Sequence, residues 1–139
     1  MISHCLLGEP CRFDGRSKPM NNIDSLREKY NLIPVCPEVM GGLPTPRNAS
    51  ERLRDKVIDT AGNDVTEHFT KGAILCLEIA KANGVRMAIL KANSPSCGSG
   101  KIYDGTFSGN LVDGNGITTE LLISNGIAVH TEEEFANKE

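Results

Sequence analysis

Short apolar runs alternate with amphipathic stretches along this chain, and the alternation predicts its elements. Met1 to Leu7 reads as a first strand ending in the turn Gly8-Glu9-Pro10. Asn21-Asn22 then offers an N-cap for a helix through about Tyr30, with Ile23, Leu26 and Tyr30 on one face. Leu32 to Cys36 is a second strand, closed by Pro37. Glu38 to Ala49 holds too many Gly and Pro residues for regular structure, and such long irregular segments in compact domains are usually functional. Lys56–Asp59 and Asp64-Val65 flank Thr60–Asn63 as a small hairpin. Thr66 caps the longest helix, which runs to about Ala82, stops at Asn83-Gly84, and carries Phe69, Ala73, Cys76, Leu77 and Ala80 on its apolar face. Arg86–Ala92 is the third main strand. A glycine-broken segment follows, with a short hairpin expected around Thr106–Leu111. Thr118–Ser124 is a last helix and Ile127–Val129 a last strand, leaving Thr131–Glu139 as an acidic, solvated terminal turn.

Strand and helix alternating in this way describe an α/β fold: a small three-layer, mostly parallel sheet of Rossmann-like or flavodoxin-like type, with helices on both faces, in one domain over residues 1–139. Right-handed crossovers place the first strand between the second and third, with the fourth beyond the third. Ligands in such sheets bind outside the carboxyl ends of the strands, at the switch point. Cys5 lies at the end of strand one, Cys36 ends strand two and Cys97 follows strand three, so all three are expected at one crevice.

Composition narrows the chemistry. Hydrophobic residues at 39% and charged residues at 24% describe a globular protein, not a disordered one. A net charge of −3 gives no footprint for duplex nucleic acid or an anionic membrane, and no apolar run approaches the roughly 20 residues of a membrane span. The opening Met1-Ile2-Ser3-His4-Cys5 lacks the basic and long apolar regions of an export signal, so a cytoplasmic, reducing compartment is expected. Five cysteines fit a disulfide framework poorly there.

Cys97 sits in Asn93-Ser94-Pro95-Ser96-Cys97-Gly98-Ser99-Gly100, a loop whose glycines admit a close ligand. Thiolates gather only where something neutralises their repulsion, as a soft metal centre does. The residues leave three readings open: an iron–sulfur cluster, zinc on three cysteines plus His4, or three small buried side chains. Against zinc, His4 neighbours Cys5 on an alternating strand and is expected on the opposite face. Cys76 belongs to the apolar stripe of the long helix and reads as core; Cys11, in a polar loop, stays open. Glu38, two residues after Cys36, is a candidate proton relay, and Ser94, Ser96 and Ser99 are candidate hydrogen-bond donors. Arg12, Lys18 and Lys91 are candidates for an anionic substrate, although solvated charges are the commoner fate; His68 and His130 read as ordinary positions. No Gly-x-Gly-x-x-Gly follows the first strand, so a dinucleotide site is not supported.

Ser3-His4-Cys5-Leu6-Leu7-Gly8, Cys11-Arg12-Phe13-Asp14-Gly15, Pro34-Val35-Cys36-Pro37-Glu38-Val39, Gly42-Leu43-Pro44-Thr45-Pro46-Arg47, Ser94-Pro95-Ser96-Cys97-Gly98 and Tyr103-Asp104-Gly105-Thr106-Phe107 together resemble the thiouracil desulfurase-like family nearly end to end. The resemblance implies a 4Fe–4S cluster on Cys5, Cys36 and Cys97, with one iron open to the sulfur of a thiolated nucleobase. It implies a Lewis-acid reaction in which water replaces sulfur, released as hydrosulfide, with no net redox change. Such an exposed cluster is expected to be lost in protein prepared in air. Proton transfer would then need an acid and a base, for which Glu38 and a serine of the Cys97 loop, Ser94 or Ser96, are the candidates. Two other classes compete: a non-catalytic metal or iron–sulfur module, and a metal-free thiol redox protein. The oligomeric state is not legible.

Overall fold

A computed structural model describes residues 1–136. Strand β1 (Ile2–Ser3) passes into a 3-10 turn (His4–Leu7), followed by helix α1 (Ile23–Lys29), β2 (Pro34–Val35) and the short α2 (Pro37–Met40). Next come β3 (Ser50–Leu53), β4 (Lys56–Asp59), the long helix α3 (Thr66–Ala82) and β5 (Met87–Leu90). The chain continues through β6 (Lys101–Tyr103), β7 (Leu111–Asp113), α4 (Ile117–Ser124), β8 (Ala128–Thr131) and α5 (Glu132–Ala136). The central sheet has the order β2-β1-β5-β8, all parallel, as the crossover rule predicts. Ile2 stands opposite both Pro34 and Ile89, which puts β1 in the middle of the switch point.

Side chains of alternate strand residues feed two layers. Ala88 and Leu90 of β5 join Val35, Cys76, Ala80 and Leu122 on the side covered by α3 and α4. Ile89 joins Ile2, Leu6 and Leu26 on the other side, where α1 and Phe135 of α5 close the layer. Full burial of each large aliphatic side chain contributes about 1.5–3 kcal/mol, so this double-sided packing is what holds so short a sheet. Where α2 rests on α3, the contact needs two glycines. A Cβ on Gly72 would stand 1.9 Å from the carbonyl oxygen of Pro37, and one on Gly41 would stand 1.9 Å from that of His68. Backbone thus lies on backbone directly behind Cys36 and Glu38.

Five local expectations are corrected. The segment from Glu38 to Ala49 is not irregular throughout, because Pro37 starts a short helix that runs through Met40. Strand one pairs only at Ile2 and Ser3; beyond it the chain tightens, with the N–H of Gly8 donating to Cys5 O at 3.2 Å and Gly8 closing the turn at φ +100°. This carries His4 and Cys5 to the same cavity instead of opposite faces. The hairpin pairs β4 with β3, while Asp64 keeps a single bridge to Ile58. Its turn uses Arg54 at φ +57°, a residue that gives no turn signal. The second hairpin joins β6 to β7, and Thr106–Asn110 belongs to the loop between them. The tail is no solvated turn up to residue 136: Glu132 starts a helix and its side chain, 14% exposed, pairs with Lys91 at 2.8 Å. Residues 137–139 lie outside the described residues.

Candidate active site

The carboxyl ends of β1, β2 and β5 open into a cavity of about 540 Å³, and Cys5, Cys36, Cys97 and also Cys11 line it. All are free thiols. Each arrives on a different local device. Cys5 rides the 3-10 turn. Cys36 is the extended residue before Pro37, which starts α2 because proline suits a first helical position. Cys97 is held by Ser94: its Oγ accepts the N–H of Ser96 at 3.1 Å and of Cys97 at 3.0 Å, and its carbonyl accepts the N–H of Gly98 at 2.8 Å. From behind, Thr119 Oγ1 donates to the carbonyl of Cys97 at 2.8 Å.

The sulfurs sit in a poorly solvated corner. Burial pushes the Cys97 thiol up, against a hydrogen bond from Ser3 that opposes it. The Cys36 thiol is pushed up by its hydrogen bond with Cys11 and then by burial. For Cys11, the bond with Cys36 favours the thiolate, but the bond with Cys5, burial and repulsion from Cys5 outweigh it and raise the thiol to about 11. Left alone, these groups stay protonated; binding as thiolates calls for a strongly cationic, soft partner. The donor set suits an iron–sulfur cluster, whose several irons take sulfurs spread over a cavity wall. Among the described residues no three His, Cys, Asp or Glu are arranged as a site for a single ion, and His4 Nε2 lies 4.0 Å from Glu9 Oε2. Cys76 is core as expected, its Sγ 3.9 Å from Met40 Sδ and its thiol raised to about 12 by burial.

Glu38 lines the cavity from the first turn of α2. Burial raises its carboxyl above the usual range, although Arg47 draws it back. Arg47, not singled out in the sequence beyond its place in the Gly/Pro segment, is a hub. Its Nε donates to Glu38 Oε1 at 3.2 Å, Nη2 to Cys11 O at 3.0 Å, and Nη1 to Pro44 O at 3.2 Å and Thr45 Oγ1 at 3.0 Å. One guanidinium therefore ties three cavity segments together.

The serines divide. Ser94 lines the cavity, and with both lone pairs of its Oγ occupied its O–H remains free to donate. Ser96 is fully buried and bonded to Thr118 Oγ1 at 2.8 Å, on the α4 side, so it has no access to the cavity. Ser99 does not line the cavity either. Among the basic candidates, Arg12 and Lys91 line it but Lys18 does not, and Lys91 Nζ is committed to Glu132. His68 bonds Gly41 O at 2.8 Å and His130 bonds Glu134 Oε2 at 2.9 Å, both away from the cavity. No helix among the described residues is long and apolar enough to cross a membrane.

Residues 1–134 match the family described as 2-thiouracil desulfurase. Among curated proteins, the uncharacterized protein YbbK of Bacillus subtilis (strain 168) is 39% identical over 145 residues, spanning 97% of this chain and 96% of its own. Among solved structures, the 4Fe–4S-dependent thiouracil desulfidase TudS is 47% identical and superposes with a TM-score of 0.93 over 98% of this chain and 91% of its own. With the match running through all three cysteine-bearing segments, the chain belongs to the 2-thiouracil desulfurase family.

Proposed function

We propose that this protein converts a thiolated pyrimidine base, 2-thiouracil or a close relative, to its oxo form and hydrosulfide, with a 4Fe–4S cluster held by Cys5, Cys36 and Cys97. The observation that carries this reading is the convergence of those three cysteines, from three strand ends, on one cavity in a chain of this family. The cofactor named for TudS supports the choice of cluster. When bound, such a cluster supplies a Lewis-acidic iron with an open position for a thione sulfur.

The residues around it take the remaining work. The reaction exchanges C=S and water for C=O and hydrogen sulfide, so protons move but no electrons are gained or lost. Glu38 would hold or accept a proton at its Oε2, a role supported by Arg47 occupying Oε1. Ser94 would donate its hydroxyl hydrogen to a heteroatom of the base, a role supported by its Oγ accepting the N–H groups of Ser96 and Cys97 and so turning its O–H elsewhere.

Cys11 marks the competing reading. Its hydrogen bonds with Cys5 and Cys36 would also suit a metal-free dithiol that cycles through a disulfide. Anaerobic reconstitution with iron and sulfide, followed by a visible spectrum and a sulfide assay with 2-thiouracil, separates the two. A cluster band and sulfide release that both vanish in Cys5→Ala, Cys36→Ala and Cys97→Ala establish the desulfurase. Folded protein that takes up no cluster overturns it and leaves the dithiol.

A further inference from the structure

Of the four Phe and two Tyr in a chain without Trp, three line this one cavity: Phe13, Tyr103 and Phe107. Phe107 differs from the others in how it is held. Its backbone is left-handed, φ +57°, which is unfavourable for any side chain with a Cβ and unusual for a bulky one. The same loop uses glycine at its other left-handed positions, Gly105 at φ +91° and Gly109 at φ +82°. Glycine or Asn at 107 would relieve the backbone, so the turn itself does not call for a ring there. Nor does the ring fill the core, since it is 39% exposed.

The strain is held in place from outside the loop. Glu51, a buried residue of β3, accepts the N–H of Gly105 at 3.0 Å and the N–H of Phe107 at 3.1 Å on one carboxylate oxygen. Asp104 fixes the intervening Thr106, accepting its N–H at 2.9 Å, and the N–H of Asp104 closes the loop onto Asn110 O at 3.0 Å. Backbone strain over-determined in this way clusters at ligand sites. A rigid, half-open ring at a cavity wall offers a π face to a flat heteroaromatic ligand, an interaction that tolerates ring substitution but requires planarity.

We infer that Phe107 is the stacking wall that selects planar, aromatic thiolated bases over non-aromatic thioamides, with Glu51 as its positioning residue; this rests on the cavity being the desulfuration site. Because the chain has no Trp, Phe107→Trp places a single tryptophan, excitable beyond the absorption of Tyr30 and Tyr103, at the wall of the cluster-reconstituted protein. Uracil, which has no sulfur to lose, and dihydrouracil, which keeps the amide edge but not the aromatic ring, are the probes. Uracil is expected to quench the emission saturably, and dihydrouracil to need on the order of tenfold more ligand. Phe107→Asn, which suits the left-handed backbone, is expected to raise KM for 2-thiouracil about tenfold while kcat and the cluster spectrum hold. In the Phe107→Trp background, Glu51→Ala is expected to shift the emission and erase the preference for uracil, and Glu51→Gln to restore it.

Equal responses to the two probes, or an unchanged KM in Phe107→Asn, would overturn the stacking wall even in an active desulfurase. An unshifted emission in Glu51→Ala would overturn the part given to Glu51. Wild-type protein that frees no sulfide from 2-thiouracil, while uracil still quenches in preference to dihydrouracil, would remove the desulfuration reading and leave the stacking wall standing.

Discussion

Arg47 Nε stands 3.2 Å from Glu38 Oε1, and the same guanidinium holds the carbonyl of Cys11 at 3.0 Å. The Arg47 side chain is 6% exposed and that of Glu38 20%. Two charges out of water in this way depend on each other, because either one alone is left unsolvated. Arg47→Ala is therefore expected to cost about 3–5 kcal/mol, read as a fall in the thermal midpoint, and to lower sulfide release beyond what the stability loss explains. Arg47→Lys restores the charge but not the fork of donors, and should recover stability only in part. Glu38→Gln keeps the shape and a hydrogen-bonding partner; it should retain the cluster band yet lose about 10²–10⁴ in kcat. An active Glu38→Gln variant would remove Glu38 from the proton path.

The four cavity thiols are expected to separate by role. On the proposed ligation by Cys5, Cys36 and Cys97, Cys11→Ser should keep both the visible band and sulfide release. Loss of the band in Cys11→Ser would make it a ligand and close the open iron. Cys76→Ala is the control for packing: it removes a fully buried sulfur on α3 and should lower stability by about 1 kcal/mol without touching the spectrum.

Glycine at the α2–α3 contact is expected to matter as much as any ligand. In Gly72→Ala the new methyl would lie 1.9 Å from backbone, the carbonyl oxygen of Pro37, where no side-chain rotation relieves it. The helix pair has to part, and α2 moves with Cys36 before it and Glu38 on it. Gly72→Ala should destabilise the fold by several kcal/mol, of which overpacking alone accounts for about 1–3, and should reduce cluster uptake. Gly84→Ala, just past α3 with open space around its Cβ but at φ +63°, is the reference for a glycine lost to backbone strain alone, about 1–2 kcal/mol without a clash.

What the sequence made legible, and what it did not, follows from the range of the interactions. The order of the four parallel strands was readable because hydrophobic alternation and crossover handedness are carried by local pattern and chirality. The meeting of Cys5, Cys36 and Cys97 followed from that order alone. Ser96 reads from the sequence as a cavity donor because its neighbours along the chain say nothing of Thr118, which takes its hydroxyl. Arg47 and Glu51 were not legible as hubs for the same reason: each serves partners that lie far off in the chain or on another element. The acidic tail looked solvated by composition, yet Glu132 also accepts the N–H of Ala92 at 2.7 Å and so braces the strand end that leads to Cys97.

The β4 hairpin end is an acid-sensitive point of the fold away from the cysteines. Asp59 Oδ1 accepts the N–H of Asn63 at 2.9 Å and of Ala61 at 3.0 Å, while its Oδ2 accepts from Asn63 Nδ2 at 3.2 Å. These bonds, that from the Asn63 backbone first, hold the carboxyl below the usual Asp range despite some burial. A carboxyl depressed in the folded state binds its proton more readily once unfolded, so its contribution is complete above the unfolded value of about 4. It is lost as pH falls through the folded value, and stability should drop as acid is added below about pH 4. Asp59→Asn keeps the two backbone bonds on its carbonyl oxygen but cannot titrate. Thermal unfolding of the two proteins across that range should show a steeper acid decline for the wild type, and parallel curves would mean that Asp59 carries none of it.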